Sequence, residues 1–245
     1  MIQVLQIRNK TITTDKVITL MANYQMLPQF LREVIVDQAI ASIICTPEEK
    51  ASACQQFYEK YELTSEPERQ EWLELYEMTL EQLEALATRE LRIEKFKRAT
   101  WGNKLESYFL SRKSSLDKVI YSLIRTKEVG VANELYFRIQ EGEQSFGELA
   151  RKYSQGSEAQ IGGLVGPIEL GKISSKLAQM LYVSQTDQLW PPTRLGEWIA
   201  IARLEQLIPA VLDEAMRQKL LNELFEAWVQ EQLVELTKSG LISLD

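Results

Sequence analysis

Glycine divides this chain. Nine of its eleven glycines fall between Gly130 and Gly196, with only Gly102 before that stretch and only Gly240 after it. A glycine inside a helix costs about 1 kcal/mol relative to alanine. The glycine-poor flanks therefore read as long helices, and the glycine-rich middle as a turn-rich mixture of strand and helix. The chain has 245 residues, enough for two domains. The expected fold class is α+β: a mixed domain over 116–205 inserted into an all-helical domain. Residues 1–115 would form most of the helical part, and a helix within 206–245 would pack back onto it.

The flanks carry explicit helix punctuation. "IQVLQI", starting at Ile2, reads as a short strand or an extended arm. Thr13, Thr14 and Asp15 offer caps for a helix through Tyr24, and a break at Leu27-Pro28 precedes a helix through Phe30 and Ile40. Three capping boxes follow, at Thr46–Glu49, Ser65–Glu68 and Thr79–Gln82. In each, a hydroxyl accepts from an orphan amide while the residue three on reaches back. The third box starts a helix expected to run from about Leu80 to about Lys113. After Pro209, Asp213 caps a helix whose apolar face includes Leu220, Leu221, Leu224, Phe225, Trp228 and Leu233. A lone helix has nothing against which to bury such a face, so it is expected on the N-terminal helices.

The middle changes period. "KVIYSLIRT", ending at Thr126, is β-branched and aromatic and predicts a strand. A helix through Ala132, Leu135 and Ile139 ends at Gly142, and "FGELARKYS" predicts a second. "GGLVGPI" is a strand held between glycines, and "SSKLAQMLY" a third helix. "QLWPPTRL" and "EWIAIARLE" are the arms of a hairpin. The order is β-α-α-β-α-β-β.

Composition narrows the function classes. Net charge is −7, which argues against a nucleic-acid surface. There is no basic start followed by an apolar run and no uninterrupted apolar segment of membrane-spanning length; a cytoplasmic protein without membrane insertion is expected. Cys45 and Cys54 have neither CxxC nor metal spacing and are expected to be free thiols. The chain contains no histidine, which removes every His-based triad, general base and metal site. No cofactor or metal is expected.

The stretch "FGELARKYSQGSEAQIGGLVGP", from Phe146 to Pro167, resembles the parvulin family of peptidyl-prolyl isomerases, with its FxxLAxxYS helix and GG-x-x-G turn. The resemblance covers roughly Leu116 to Leu204, and the element order agrees with it. The flanks are similar to the helical regions of SurA- and PrsA-type foldases. Phe146, Leu149, Ala150 and Tyr153 are then expected to pack a helix on the sheet, with Gly162 and Gly163 turning the chain into the next strand. The resemblance places the family's two histidines at Tyr121 and Trp198, and an aspartate common after the glycine pair at Leu164.

The candidate catalytic residues are accordingly Tyr121, Ser122 and Trp198, the first two as available hydroxyls. Leu123, Leu177, Met180, Leu181 and Trp190 are the candidate peptide-binding residues. Tyr121 and Trp198 are expected to fill the centre of the sheet and shrink the proline pocket. The resemblance implies a parvulin-type isomerase or foldase with a degenerate site and atypical or weak activity, acting on unfolded or X–Pro-containing polypeptide. The alternatives are a non-catalytic chaperone holding extended apolar segments on a helical cradle around Phe109, and a scaffold for one client peptide.

Overall fold

A computed structural model describes residues 4–7 and 10–238; Ile2 lies outside them. The chain begins with a two-stranded antiparallel hairpin, β1 (Val4–Ile7) and β2 (Lys10–Thr13). Five helices follow: α1 (Thr14–Asn23), α2 (Leu27–Ile40), α3 (Pro47–Lys60), α4 (Glu66–Leu75) and α5 (Leu80–Trp101). A 3-10 turn over Gly102–Lys104 leads into α6 (Leu105–Leu116). The mixed part runs β3 (Lys118–Thr126), α7 (Val129–Gln140), α8 (Phe146–Tyr153), β4 (Leu164–Glu169), α9 (Ser175–Tyr182), β5 (Leu189–Leu195) and β6 (Trp198–Ile208). The last element is α10 (Glu214–Lys238).

Two compact units result. One comprises residues up to 105 together with those from 217 on; the other is 106–216. The mixed unit thus takes in α6, which the sequence had assigned to the helical domain. The expected single helix from Leu80 to Lys113 is two helices: Gly102, with no side chain to restrict it, begins the 3-10 turn that separates them. Among the described residues, no helix is long and apolar enough to cross a membrane.

In the helical unit all three capping boxes close in both directions, as at Thr46, whose N–H donates to Glu49 at 2.8 Å while Glu49 N–H donates to the Thr46 hydroxyl at 3.2 Å. Helix α10 does bury its face on the earlier helices. Phe225 and Val229 pack with Val36 of α2 and with Ile93, Phe96 and Trp101 at the end of α5. Phe96 meets Trp101 edge-on at 5.6 Å between ring centroids. Polar contacts fix the register: Arg32 of α2 forks onto Glu226 of α10 at 2.6 and 2.8 Å, and Lys97 of α5 donates to Asn222 of α10 at 2.7 Å. A second cluster joins Phe57 of α3, Leu63, Trp72 of α4 and Leu83 of α5.

In the mixed unit the sheet order is β4-β3-β6-β5, antiparallel throughout. Strand β3 pairs with β6 from Lys118↔Ile208 to Thr126↔Ile199, with one irregularity at Ile120/Tyr121. Side chains alternate across a strand, so the pairing makes two faces. Ile124 and Ile201 face Leu135 of α7 and Phe146, Leu149 and Ala150 of α8. Val119, Tyr121, Leu123, Ala200, Ala202 and Leu204 share the other face with Leu170 and with Leu177 and Leu181 of α9. Buried Asp117 ties the margins of the unit together. Its carboxylate accepts from Lys113 Nζ at 2.9 Å and from Ala210 N–H at 2.7 Å, and its carbonyl accepts from Leu170 N–H at 2.9 Å.

The glycine pair has a mechanical role. Gly162 and Gly163 both have positive φ, +70° and +81°. Gly163 also presses on β3: its carbonyl accepts from Leu123 N–H at 2.8 Å, and a Cβ there would stand 2.8 Å from the Leu123 carbonyl oxygen and 2.9 Å from Ala150 Cβ. Gly163→Ala is therefore expected to destabilise the mixed unit by about 2–5 kcal/mol, left-handed strain plus overpacking. Gly196→Ala, with φ +64° but nothing within 4 Å, should lose only the strain, about 1–2 kcal/mol. Urea unfolding read by hydrogen exchange of the β3 amides compares the two; equal losses would refute the close-approach argument. In the helical unit, Phe225→Ala should cost about 3–5 kcal/mol as a core cavity, read from its denaturation midpoint.

Candidate functional site

Helix α9 covers only part of its sheet face. Beside it the face stays open as a groove of about 600 Å³. Its floor is Tyr121, Leu123 and Arg125, alternate residues of β3. One wall is Ile173 and Leu177, the other Ile161 and Val165, and Leu195 and Trp198 close the hairpin end. Ala200 and Ala202 of β6, both fully buried, lie opposite Arg125 and Leu123.

The charged end of the groove was not anticipated. Glu158, in a 3-10 turn over Ser157–Ile161, is 4% exposed, and Arg125 forks onto it: Nε donates to Oε1 at 2.9 Å and Nη2 donates to Oε2. The Ser154 hydroxyl adds a bond to Oε1 at 2.7 Å. The backbone reinforces the pair. Arg125 N–H donates to Ser154 Oγ at 2.9 Å, and its carbonyl accepts from Gln155 N–H at 2.8 Å. Gly156 leaves room for it, since a Cβ there would fall 2.1 Å from Glu158 Oε2 and 2.2 Å from Arg125 Nη2. Burial pushes the Glu158 carboxyl up, but the bonds from Arg125 and Ser154 outweigh it and hold it below the ordinary carboxylate range. The bond to Glu158 raises the Arg125 pKa further. Burial, helped by the nearby Glu158 charge and opposed by Arg125, raises the Tyr121 phenol, so Tyr121 stays a neutral hydroxyl donor.

The expected site residues divide. Tyr121, Leu123, Leu177 and Trp198 line this one groove. Ser122 does not join them: being one residue out of phase, it faces the other side of the sheet and donates to Glu205. Leu181 and Met180 are core, at 0% and 7% exposed, because their turn of α9 is pressed inward. Trp190 is half-buried, with its indole N–H donating to Ser184 Oγ at 2.6 Å just past α9. Nor does Trp198 fill the sheet centre. It stands half-buried at the hairpin end of β6, with the Arg125 guanidinium 5.8 Å and Lys127 Nζ 5.1 Å from its ring centroid. Phe109, expected on a helical cradle, is buried in the mixed unit. The signal for Arg125 was available, because it continues the Tyr121–Leu123 alternation; Glu158 had no local signal.

The Arg125–Glu158 pair gives a pH test. Below the unfolded carboxylate pKa of about 4, a carboxyl whose folded pKa is depressed progressively loses its stabilising contribution. Stability of the mixed unit should therefore fall as pH drops from about 5 towards the depressed folded value. Glu158→Gln should remove that component while costing about 2–4 kcal/mol at pH 7, the lower part reflecting the partial exposure of Arg125. Thermal melts of both proteins from pH 3 to 7 read this, and parallel curves would contradict the assignment.

Comparison with known proteins bears on the family and the fold. Residues 126–206 match the model of the rotamase family, described as the PPIC-type PPIase domain. The match takes in Glu158, Leu177 and Trp198, and starts one residue after Arg125. No curated protein matches the sequence. Among solved structures, the peptidylprolyl isomerase PrsA of Bacillus cereus is 20% identical, with 98% of this chain and 92% of that one aligned and a TM-score of 0.50. The foldase protein PrsA of Streptococcus pneumoniae is 14% identical over 99% and 95% of the two chains, TM-score 0.46. A structure of the SurA-like chaperones PEB4 and Cj1289 of Campylobacter jejuni is 13% identical over 97% and 96%, TM-score 0.38. By its matched segment and its fold, the chain carries a parvulin-type, PPIC-family peptidyl-prolyl isomerase domain within a PrsA-like helical framework.

Proposed function

We propose that the chain is a foldase that binds extended polypeptide and accelerates cis–trans interconversion of X–Pro bonds in the groove of its mixed unit. The observation that carries this is the open groove itself, apolar on both walls and bearing a buried hydroxyl, Tyr121, and a fixed guanidinium, Arg125, on its floor. Rotation about an X–Pro amide faces a barrier of about 18–20 kcal/mol and breaks no covalent bond. The planar amide is the more polar state because resonance separates its charge, so removing it from water onto Leu123, Ile173 and Leu177 raises the ground state relative to the twisted one. Catalysis needs only this differential binding. Tyr121 and the Arg125 N–H groups not engaged by Glu158 are positioned to hold the prolyl carbonyl, or the nitrogen as it becomes pyramidal. No proton transfer is required, so the lack of histidine does not forbid turnover. As part of this reading, Tyr121 and Trp198 occupy the positions of the family's two histidines.

A second reading, holding of unfolded chains by the helical unit, has its own support. That unit contains a cleft of about 860 Å³ in which Phe57, Tyr61, Leu86, Ile93 and Phe225 are interspersed with charged residues such as Lys60, Glu90 and Glu94. Leu75, Tyr76 and Leu80 are also largely exposed. Exposed apolar surface of this kind marks binding sites for apolar partners. A cytoplasmic setting belongs to the proposal, supported by the free thiols Cys45 and Cys54, and cell fractionation tests it.

Two charge insertions separate the activities. Ile161→Glu places a carboxylate on the groove wall at a 60% exposed position, and Leu86→Glu places one in the helical cleft. Isomerisation of a short X–Pro peptide, followed by NMR exchange, should fall about tenfold or more in Ile161→Glu and be unchanged in Leu86→Glu. Suppression of aggregation of an unfolded client should show the opposite pattern. Absence of both turnover and peptide binding in the wild type would reject the isomerase reading and leave the chaperone one.

A further inference from the structure

The groove has two chemically different ends. Leu123, Ile173 and Leu177 make one end apolar, while Arg125, Glu158, Ser157 and Trp198 make the other. The bond that rotates joins X to Pro, so both residues must sit in the groove together. With the proline ring at the apolar end, X meets Arg125.

An isolated guanidinium at that place would select an acidic X. Here it is neutralised. Both oxygens of Glu158 are engaged by Arg125, whose side chain keeps 30% exposure and so reaches the groove, whereas that of Glu158 keeps 3%. Beside Trp198 on this rim, Lys127 and Glu197 form their own exposed pair at 3.4 Å, which solvent screens. The X end is therefore electrically neutral, with the Trp198 ring beside it.

Resting on the reading that the groove binds X–Pro segments, we propose that the Arg125–Glu158 pair is its specificity device: it masks a cation, so that the groove takes an uncharged, apolar X and rejects a charged one of either sign. An acidic X meets the Glu158 carboxylate already in possession of the arginine, and a basic X meets the arginine itself. Rejection by an occupied partner is a recognised route to specificity. Ser154 and Gly156 hold the mask in place, one by a hydrogen bond and the other by its missing side chain.

The test uses the full chain and three tetrapeptides, Ala-Leu-Pro-Phe, Ala-Glu-Pro-Phe and Ala-Lys-Pro-Phe, with exchange rates and chemical-shift titrations for each. Wild type should favour the Leu peptide over both charged ones by about tenfold or more. Glu158→Gln bares the cation: the Glu peptide should gain about tenfold relative to the Leu peptide, and the gain should shrink with added salt. Arg125→Gln bares the anion and should shift preference towards the Lys peptide. Either variant suffices if the other fails to fold. Should the wild type turn over or bind the Leu peptide while the folded variants keep its ranking, the masking proposal is overturned and the groove reading stands. If wild type neither binds nor turns over any of the three, both fall.

Discussion

The pairing of β3 with β6 governs the mixed unit. The two strands run together for the whole of β3, and each is central to the sheet. Their alternation decides which side chains meet α7 and α8 and which remain on the face that α9 half covers. A slip of one residue would exchange the faces, sending Tyr121, Leu123 and Arg125 under α8 and Ser122 and Ile124 into the groove. Gly163 guards against that slip, since it approaches β3 closely and bonds Leu123 in the observed phase. The glycine-rich turn is scaffold, yet the composition of the site depends on it.

Much of this architecture was legible in the sequence because it rests on local chemistry. The three capping boxes, the strand at "KVIYSLIRT" and the order of the mixed elements depend on near neighbours, and residues alone reveal those. The break at Gly102 is hidden in the sequence because the apolar stripe continues past it. The site was only half legible. Tyr121, Leu123, Leu177 and Trp198 came together, but Leu181 and Met180 depend on how deeply α9 is pressed onto the sheet, which is a tertiary property. Ser122 shows the limit of reasoning by residue type: a hydroxyl next to the site in sequence lies across the sheet from it. Glu158 is separated from Arg125 by α7 and α8, and its partnership exists only after the fold forms.

The groove also shows how a site can be ordered without imidazole. It has a permanently charged guanidinium fixed by a carboxylate that a serine hydroxyl also holds, while two backbone bonds anchor the arginine itself. Such an arrangement has no protonation change between about pH 5 and 8, where histidine would switch. Its organisation is constant over the range in which most cells work.

The bonds of Asp117 bear on how such a chain could arise. By joining the start of β3 to the segment beyond β6 through Ala210, they bring the two margins of the mixed unit to one point. For the helical unit whose sequence it interrupts, 106–216 then behaves as a short connection rather than a loop of more than a hundred residues. Loop-closure entropy grows with the logarithm of length, so the difference favours the folded helical unit by about 2–3 kcal/mol. An insertion that closes its own ends is nearly invisible to its host. Recombination could exchange such a unit for another of the same closure while leaving the surrounding helices intact.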